Sequence, residues 1–407
     1  MTDLNQFTIE PTLVPAQSPR AESIPVPAST RRTTVLPKVE WNGERPSVIP
    51  LHRERFEELR PLGQGGMGEV MLLQDHDIER TVALKRLTDG ADLDRVLRFV
   101  EEIRTVGQLD HPNIVPVHDV GVDERGRYYF VMKHLQGETL ESIIARLKAG
   151  DPEAHTRYPF TARVQLFLGV LHALSYAHRK GFIHRDLKPA NIMVGPFGEV
   201  TVMDWGLARK ARTAEAAKPG APVSAAAQGL REAASMLTQV GAVMGTPLYM
   251  SPEQARGEHD ALDARSDIYS LCVLFHELLF LRHYLEGRES VEDILEGVKT
   301  VTPQTEGPSE RNPHQPRPPA ELIWFVKQGL SKDPAQRYPS VDAMVEELQR
   351  AMSGRIRVHC KRTLLKRCLY ETLCQADERP KAVMFAGAVV LAVLLGVLVQ
   401  LVLKLFL

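Results

Sequence analysis

No stretch of this 407-residue chain leaves its fold less freedom than HRDLKPANIMVGPFGEVTVMDWGLAR, residues 184–209. Two short apolar runs, IMV and VTVM, flank GPFGE, and that pattern predicts a tight hairpin. The hairpin sets Asn191 and Asp204 at neighbouring strand ends, with Asp186 and Lys188 just upstream. A hard cation such as Mg2+ takes oxygen ligands and few protein groups. Phosphoryl transfer needs metal ligands, a cation for the migrating charge and an acceptor for the attacking hydroxyl's proton. Asn191 and Asp204 fit the first task, Lys188 the second and Asp186 the third.

Nearer the N-terminus, Gly63, Gly65 and Gly68 form a G-x-G-x-x-G between apolar runs. Glycines let backbone N–H groups approach phosphate oxygens that a Cβ would hold off. The same pattern marks dinucleotide-binding folds, but those need a helix directly after the loop. Here EVMLLQDHD follows, which predicts a strand and a turn and so a glycine-rich hairpin over a nucleotide. That strand, together with the spacing from HRD to DWG, excludes a dinucleotide-binding enzyme. Lys85 closes the strand-like run VALK. In the helix expected next, Glu102 shares the register of Phe99, Val106 and Leu109. An inward carboxylate needs a cation, and Lys85 is the candidate.

The ends differ from the middle. Residues 1–52 are rich in Pro, Ser and Thr, and their composition predicts a disordered tail. Residues 382–403 carry no charge over a length that suits a transmembrane helix. Lys361, Arg362, Lys366, Arg367, Arg379 and Lys381 precede that run, so the positive-inside rule expects a single-pass cytoplasmic-membrane protein with its bulk in the cytoplasm. Only four residues follow the run, so no outside sensor domain is expected. Residues 353–381 read as a basic juxtamembrane linker touching anionic headgroups. Ala388, Ala392 and Gly396 make a small-residue stripe that could support self-association. A net charge of −1 gives no case for a nucleic-acid partner. The four cysteines show no C-x-x-C pair and read as reduced thiols.

LGQGGMGEV (62–70), VALK (82–85), HPNIV (111–115), HRDLKPAN (184–191), DWG (204–206), GTPLYMSPE (245–253), SDIYSL (266–271) and Arg337 in DPAQRYPS run in one order along the chain. In this the sequence resembles the eukaryotic-like (Hanks-type) protein kinases, and most closely the bacterial transmembrane Ser/Thr kinases of the PknB type. The resemblance implies an α+β, bilobal kinase fold over residues 55–352, with a small β-rich lobe (55–132), a mainly helical lobe (136–352) and a long activation segment (204–253). It implies transfer of the γ-phosphoryl of ATP to protein Ser/Thr hydroxyls, with Mg2+. ATP is then expected against Leu62, Gly63, Gln64, Gly65, Gly66, Met67, Gly68 and Val70, and further against Ala83, Lys85, Glu102, Met132 and Leu135. Met132 is the implied gatekeeper, and Lys133 to Leu135 the hinge.

Further roles follow from the same resemblance. Glu253 pairs with Arg337, Asp267 braces the catalytic loop, and Thr246 contacts Asp186 and Lys188. Arg185 receives a phosphate on the activation segment, with Thr238 as the expected autophosphorylation site. Trp205 stands where the family usually has Phe; it remains a flat apolar wedge, but its N–H needs a partner when buried. A pseudokinase scaffold that binds nucleotide or partners without turnover is the second reading. Its support is Trp205 and the swollen activation segment.

Overall fold

The computed structural model describes residues 32–378 except 43–44, 52, 66–67, 211–246, 259–261, 304–311 and 356, together with scattered positions between 384 and 400. It opens with a hairpin, β1 (Lys38–Asn42) and β2 (Arg45–Ile49), paired antiparallel from Lys38↔Ile49 to Asn42↔Arg45. This corrects the expectation of a disordered tail through residue 52. Val39 faces Val48 and Trp41 faces Pro46, so apolar side chains pair across the two strands. The flanks are stitched down as well. Asp77 Oδ1 accepts from the backbone N–H groups of Val35 (2.9 Å) and Leu36 (3.0 Å), and Arg32 pairs with Asp119 at 2.7 Å. Pro and Ser content hid this local pairing, and residues 1–31 lie outside the described residues.

The small lobe is a five-stranded antiparallel sheet in the order β3-β4-β5-β7-β6. Its strands are β3 (Phe56–Gln64), β4 (Gly68–Asp75), β5 (Arg80–Leu87), β6 (Val117–Val122) and β7 (Tyr128–Lys133). Helix α1 (Leu93–Val106) packs beneath it, capped by Asp92, which accepts from the N–H of Arg95 at 2.9 Å. Phe99 of α1 meets Phe130 of β7 with ring centroids 5.5 Å apart, so the helix that carries Glu102 is fixed to the sheet by aromatic packing.

The large lobe begins at β8 (Glu138–Thr139), followed by α2 (Leu140–Lys148), α3 (Pro152–Arg157), α4 (Phe160–Arg179) and β9 (Phe182–Ile183). Then come β10 (Ile192–Val194), β11 (Val200–Val202) and β12 (Arg209–Lys210). The helices α5 (Pro252–Ala255), α6 (Ala264–Phe280), α7 (Val291–Thr300), α8 (Ala320–Gly329) and α9 (Val341–Met352) complete it. α6 is buried along almost its whole length and forms the axis of the core. Phe275 on α6 stacks on Phe167 of α4 at 4.1 Å, and Phe325 of α8 meets both rings edge-on. An apolar axis of this kind gives the loops around it a rigid base.

A last helix, α10 (Lys361–Glu378), runs through the segment expected as a juxtamembrane linker, 353–381. Thr363 is fully buried and Lys366 reaches Glu321 of α8 at 2.8 Å, so the basic segment is spent partly on the domain rather than on solvent. Among the described residues no helix is long and apolar enough to cross a membrane. The expected span, 382–403, falls mainly outside the described residues.

Candidate active site

The hairpin expected between Asn191 and Asp204 is present: β10 and β11 pair antiparallel, with Ile192 opposite Val202. Asn113 locks it from outside by donating Nδ2–H to the Val200 carbonyl (2.7 Å), while its own carbonyl accepts from the N–H of Val202 (2.8 Å). Met203 N–H donates to the Asn191 carbonyl at 2.8 Å, which brings the residue before Asp204 against the end of the catalytic loop.

Within that loop, Asp186 Oδ2 accepts from Lys188 Nζ (2.8 Å) and from Asn191 Nδ2 (3.1 Å). Arg185 and Asp204 both have left-handed backbones, φ +69° and +56°. Such conformations cost non-glycine residues free energy and persist only where the surroundings enforce them. Here Asp267, buried on α6, accepts from the N–H groups of His184 (2.8 Å) and Arg185 (2.9 Å) and from His178 Nε2 (2.7 Å). Gln254 completes the clamp by donating Nε2–H to the Arg185 carbonyl at 2.9 Å. Burial opposes the Asp267 charge, but the hydrogen bond and charge of His178 hold its carboxyl below the ordinary value.

From the opposite side, Lys85 reaches down from β5. Its Nζ lies 2.5 Å from Glu102 Oε1 and 3.7 Å from Asp204 Oδ1. Burial alone would lower the Lys85 pKa; the Asp204 and Glu102 carboxylates outweigh it and raise the value, so the ammonium stays charged. Burial raises Asp204 too, yet Lys85 and Lys188 bring it below the usual carboxylate range. For Asp186 burial prevails over Lys188, and its pKa is raised. Lys85, Glu102, Asp186, Lys188, Asn191 and Asp204, all named from sequence, thus converge between the sheet and the catalytic loop.

Where β3 meets β4, Gly65 N–H donates to the Gly68 carbonyl at 2.8 Å. Gly68 could not be another residue, because a Cβ there would lie 2.2 Å from the Arg86 carbonyl. Val70, Lys85 and Phe130 stand opposite one another on the sheet, as do Leu72, Ala83 and Met132, so Val70, Ala83, Lys85 and Met132 share one face. Leu62 is partly exposed at the rim, beside Gly63, Gln64 and Gly65, and Leu135 packs on the edge of the large-lobe core. Gly66, Met67, Thr238 and Thr246 lie outside the described residues.

Trp205 is fully buried, its ring 4.5 Å from that of His184. Its indole N–H finds no acceptor among the described residues. Phenylalanine would keep the apolar contacts without stranding a donor. Trp205→Phe is therefore expected to leave phosphoryl transfer within about threefold of wild type while raising the melting temperature or leaving it unchanged, measured by initial rates and calorimetry.

The donor set fits a hard cation. Asn191 turns its amide nitrogen toward Asp186, which leaves Oδ1 for a metal, and Asp204 is anionic with its side chain 39% exposed. Glu253 and Arg337 meet in a bidentate pair, 2.8 and 2.9 Å, deep in the large lobe. Sequence reasoning did not find His178, Asn113 or Gln254, whose partners lie 69 to 89 residues away.

A family model described as "Protein kinase domain" matches residues 56–348. The chain is 31% identical over 320 residues to serine/threonine-protein kinase PknD of Protochlamydia amoebophila, covering 77% of this chain and 31% of that protein. It is 34% identical over 317 residues to serine/threonine-protein kinase PknB of Mycobacterium tuberculosis, covering 75% and 44%. A probable serine/threonine-protein kinase of Streptomyces coelicolor is 35% identical over 307 residues, covering 74% and 40%. The chain thus spans between about a third and under half of the length of these curated relatives. With the glycine-rich sheet, the Lys85–Glu102 pair and the braced HRD loop in one domain, the match leaves one assignment: this chain belongs to the protein kinase family.

Proposed function

We propose that this protein is an active serine/threonine protein kinase that transfers the γ-phosphoryl of ATP to hydroxyls of protein substrates. One observation carries the reading: Lys85 bridges Glu102 of the small lobe and Asp204 of the large lobe, so the groups that handle phosphate are already assembled. A scaffold without turnover has no need of a buried ammonium shared by two carboxylates. Every group with a direct chemical task is present.

In the proposed reaction Lys85 holds the non-transferred phosphates, with Glu102 fixing its direction. Asn191 and Asp204 would hold Mg2+, which when bound neutralises charge on the phosphates. Asp186 accepts a hydrogen bond from the substrate hydroxyl and orients it for in-line attack; its raised pKa suits it to take the proton as the bond forms. Lys188 Nζ, held 2.8 Å from Asp186, offsets charge as the phosphoryl moves. Catalysis of this kind is positioning and electrostatics, so the strained backbones at 185 and 204 are part of the device.

The uncharged run 382–403, preceded by basic residues, supports a single-pass anchor with the kinase domain on the cytoplasmic side. Self-association through the anchor would allow autophosphorylation in trans, with Thr238 as the acceptor and Arg185 as the phosphate's partner. One experiment tests the chemistry: full-length protein with γ-labelled ATP, Mg2+ and a mixed protein substrate, followed by phosphoamino-acid analysis and peptide mass spectrometry. Phosphoserine and phosphothreonine are expected, with label on the Thr238 peptide. Label no higher than that of Asp204→Ala would leave the scaffold reading in place, and an active enzyme with that peptide always unmodified would remove Thr238 alone.

A further inference from the structure

Helix α10 has two unlike faces. On one, Thr363 is buried, with its Oγ1 accepting from the N–H groups of His359 (2.8 Å) and Cys360 (2.9 Å). His359 stacks on Trp324 of α8 at 5.1 Å, and Lys366 binds both oxygens of Glu321 at 2.8 Å. Tyr370 lies so close to Gly354 that a Cβ there would sit 2.3 Å from its ring. These contacts fix the helix to the large lobe. Along one flank of the same helix, about 120° round from Thr363, Leu365, Leu369 and Leu373 are 71%, 60% and 57% exposed. They recur every four residues and so form one stripe. Lys361 and Arg362 have no ion-pair partner among the described residues. Three leucines in a row on a docked helix are unlike the scattered apolar residues of an ordinary surface.

We propose that this stripe lies in the interface of an anionic lipid bilayer, so that α10 clamps the kinase domain flat against the membrane. The inference rests on the anchored reading of residues 382–403. Only Arg379, Pro380 and Lys381 separate the end of α10 from that run. Four peptide units reach at most about 14 Å, so a run that spans the bilayer holds Glu378 at the headgroup level. The leucines then enter the acyl boundary, and Lys361 and Arg362 meet phosphate headgroups, an arrangement typical of interfacial helices. Because Lys366 bonds Glu321 of α8 and Tyr370 packs on the turn at Gly354, the same helix is tied to the large lobe and the domain does not swing on a flexible tether. Its substrates are accordingly proteins within reach of the membrane surface.

The test uses the full chain reconstituted into phosphatidylcholine–phosphatidylglycerol vesicles. A fluorophore is placed at Leu369→Cys or, as the control, at Glu371→Cys, which points away from the stripe. Cys360, Cys368 and Cys374 are replaced by Ser, and Cys272, which is buried, is retained. Thermal melting checks that both labelled proteins fold. Brominated acyl chains are expected to quench the probe at 369 about threefold more than the probe at 371. Equal quenching at both positions on protein that floats with the vesicles overturns the clamp and leaves the anchor standing. Protein that does not float removes the anchor and the clamp together. A probe at 369 shielded only at high protein concentration, without bromolipid quenching, assigns the stripe to a second copy of the chain and also overturns the proposal.

Discussion

Replacing Asp186 with asparagine is expected to slow phosphoryl transfer about 10³-fold with little change in folding. Asn is nearly isosteric and keeps one oxygen to accept from Lys188 and Asn191, so the loop that Asp267 and Gln254 brace should persist. The KM for ATP should stay within about threefold, because Lys85, Glu102 and Asp204 are untouched. Steady-state kinetics with a peptide substrate, beside a melting curve, gives all three numbers. The wild-type profile of kcat/KM carries a further mark. Burial raises the Asp186 pKa, so the acid limb should fall at a pH above the ordinary value of 3.8, as the carboxylate takes up its proton. A variant that retained a tenth of the wild-type rate would remove Asp186 from the chemistry.

Arg337→Ala is expected to cost about 3–5 kcal/mol, which for a domain of this size lowers the melting temperature by roughly 10 °C. The side chains of Arg337 and Glu253 are 0% and 4% exposed, so removal of the guanidinium leaves a carboxylate buried with only Ser266 Oγ as a side-chain donor, at 2.7 Å. Three backbone carbonyls, of Ser331, Arg265 and Lys332, lose their partner as well. Burial pushes Glu253 up, but the hydrogen bond and charge of Arg337 prevail and bring its pKa below 4.5. A depressed carboxylate contributes stability that is complete above the unfolded value and is lost as pH falls through the folded value. The wild type should therefore lose this contribution only below about pH 4.5. The penalty of Arg337→Ala should be greatest near neutral pH and shrink in acid as the stranded carboxylate protonates. Adding Glu253→Gln should recover part of it. Urea titrations at neutral and acid pH test this, and a loss that does not change with pH would mean that the pair is not the cause.

The two substitutions separate what chemistry and folding ask of the same loop. Asp186 acts at the end of the catalytic loop, whereas Arg337 and Glu253 act near the start of α6, whose Asp267 holds that loop. A loss at the first should appear in rate, and at the second in stability.

Much of the site is legible in the sequence because its groups recur at short, fixed intervals. Asp186, Lys188 and Asn191 span one loop, and the strand alternation on either side of GPFGE places Asp204 beside them. Gly68 is dictated by a backbone carbonyl that no side chain could clear, and the helical register of Glu102 already pointed inward. The hairpin of β1 and β2 was not legible, because its strands, KVEWN and RPSVI, are only five residues long and the Pro-rich composition around them outweighed their pairing.

What the sequence determined by itself was the inventory of chemical groups and the local elements that carry them, because both depend on spacings of a few residues. Tertiary structure alone decided how distant partners hold those groups in strained positions: His178 and Gln254 join Asp267, which the resemblance had named, around residue 185, and Asn113 bonds the β10–β11 hairpin. It also decided that a basic segment becomes a docked helix, since a charge run acquires a face only when Lys366 meets Glu321 of α8 and Tyr370 meets the turn at Gly354. Local propensity cannot encode contacts whose free energy comes from burial against residues far away in the chain.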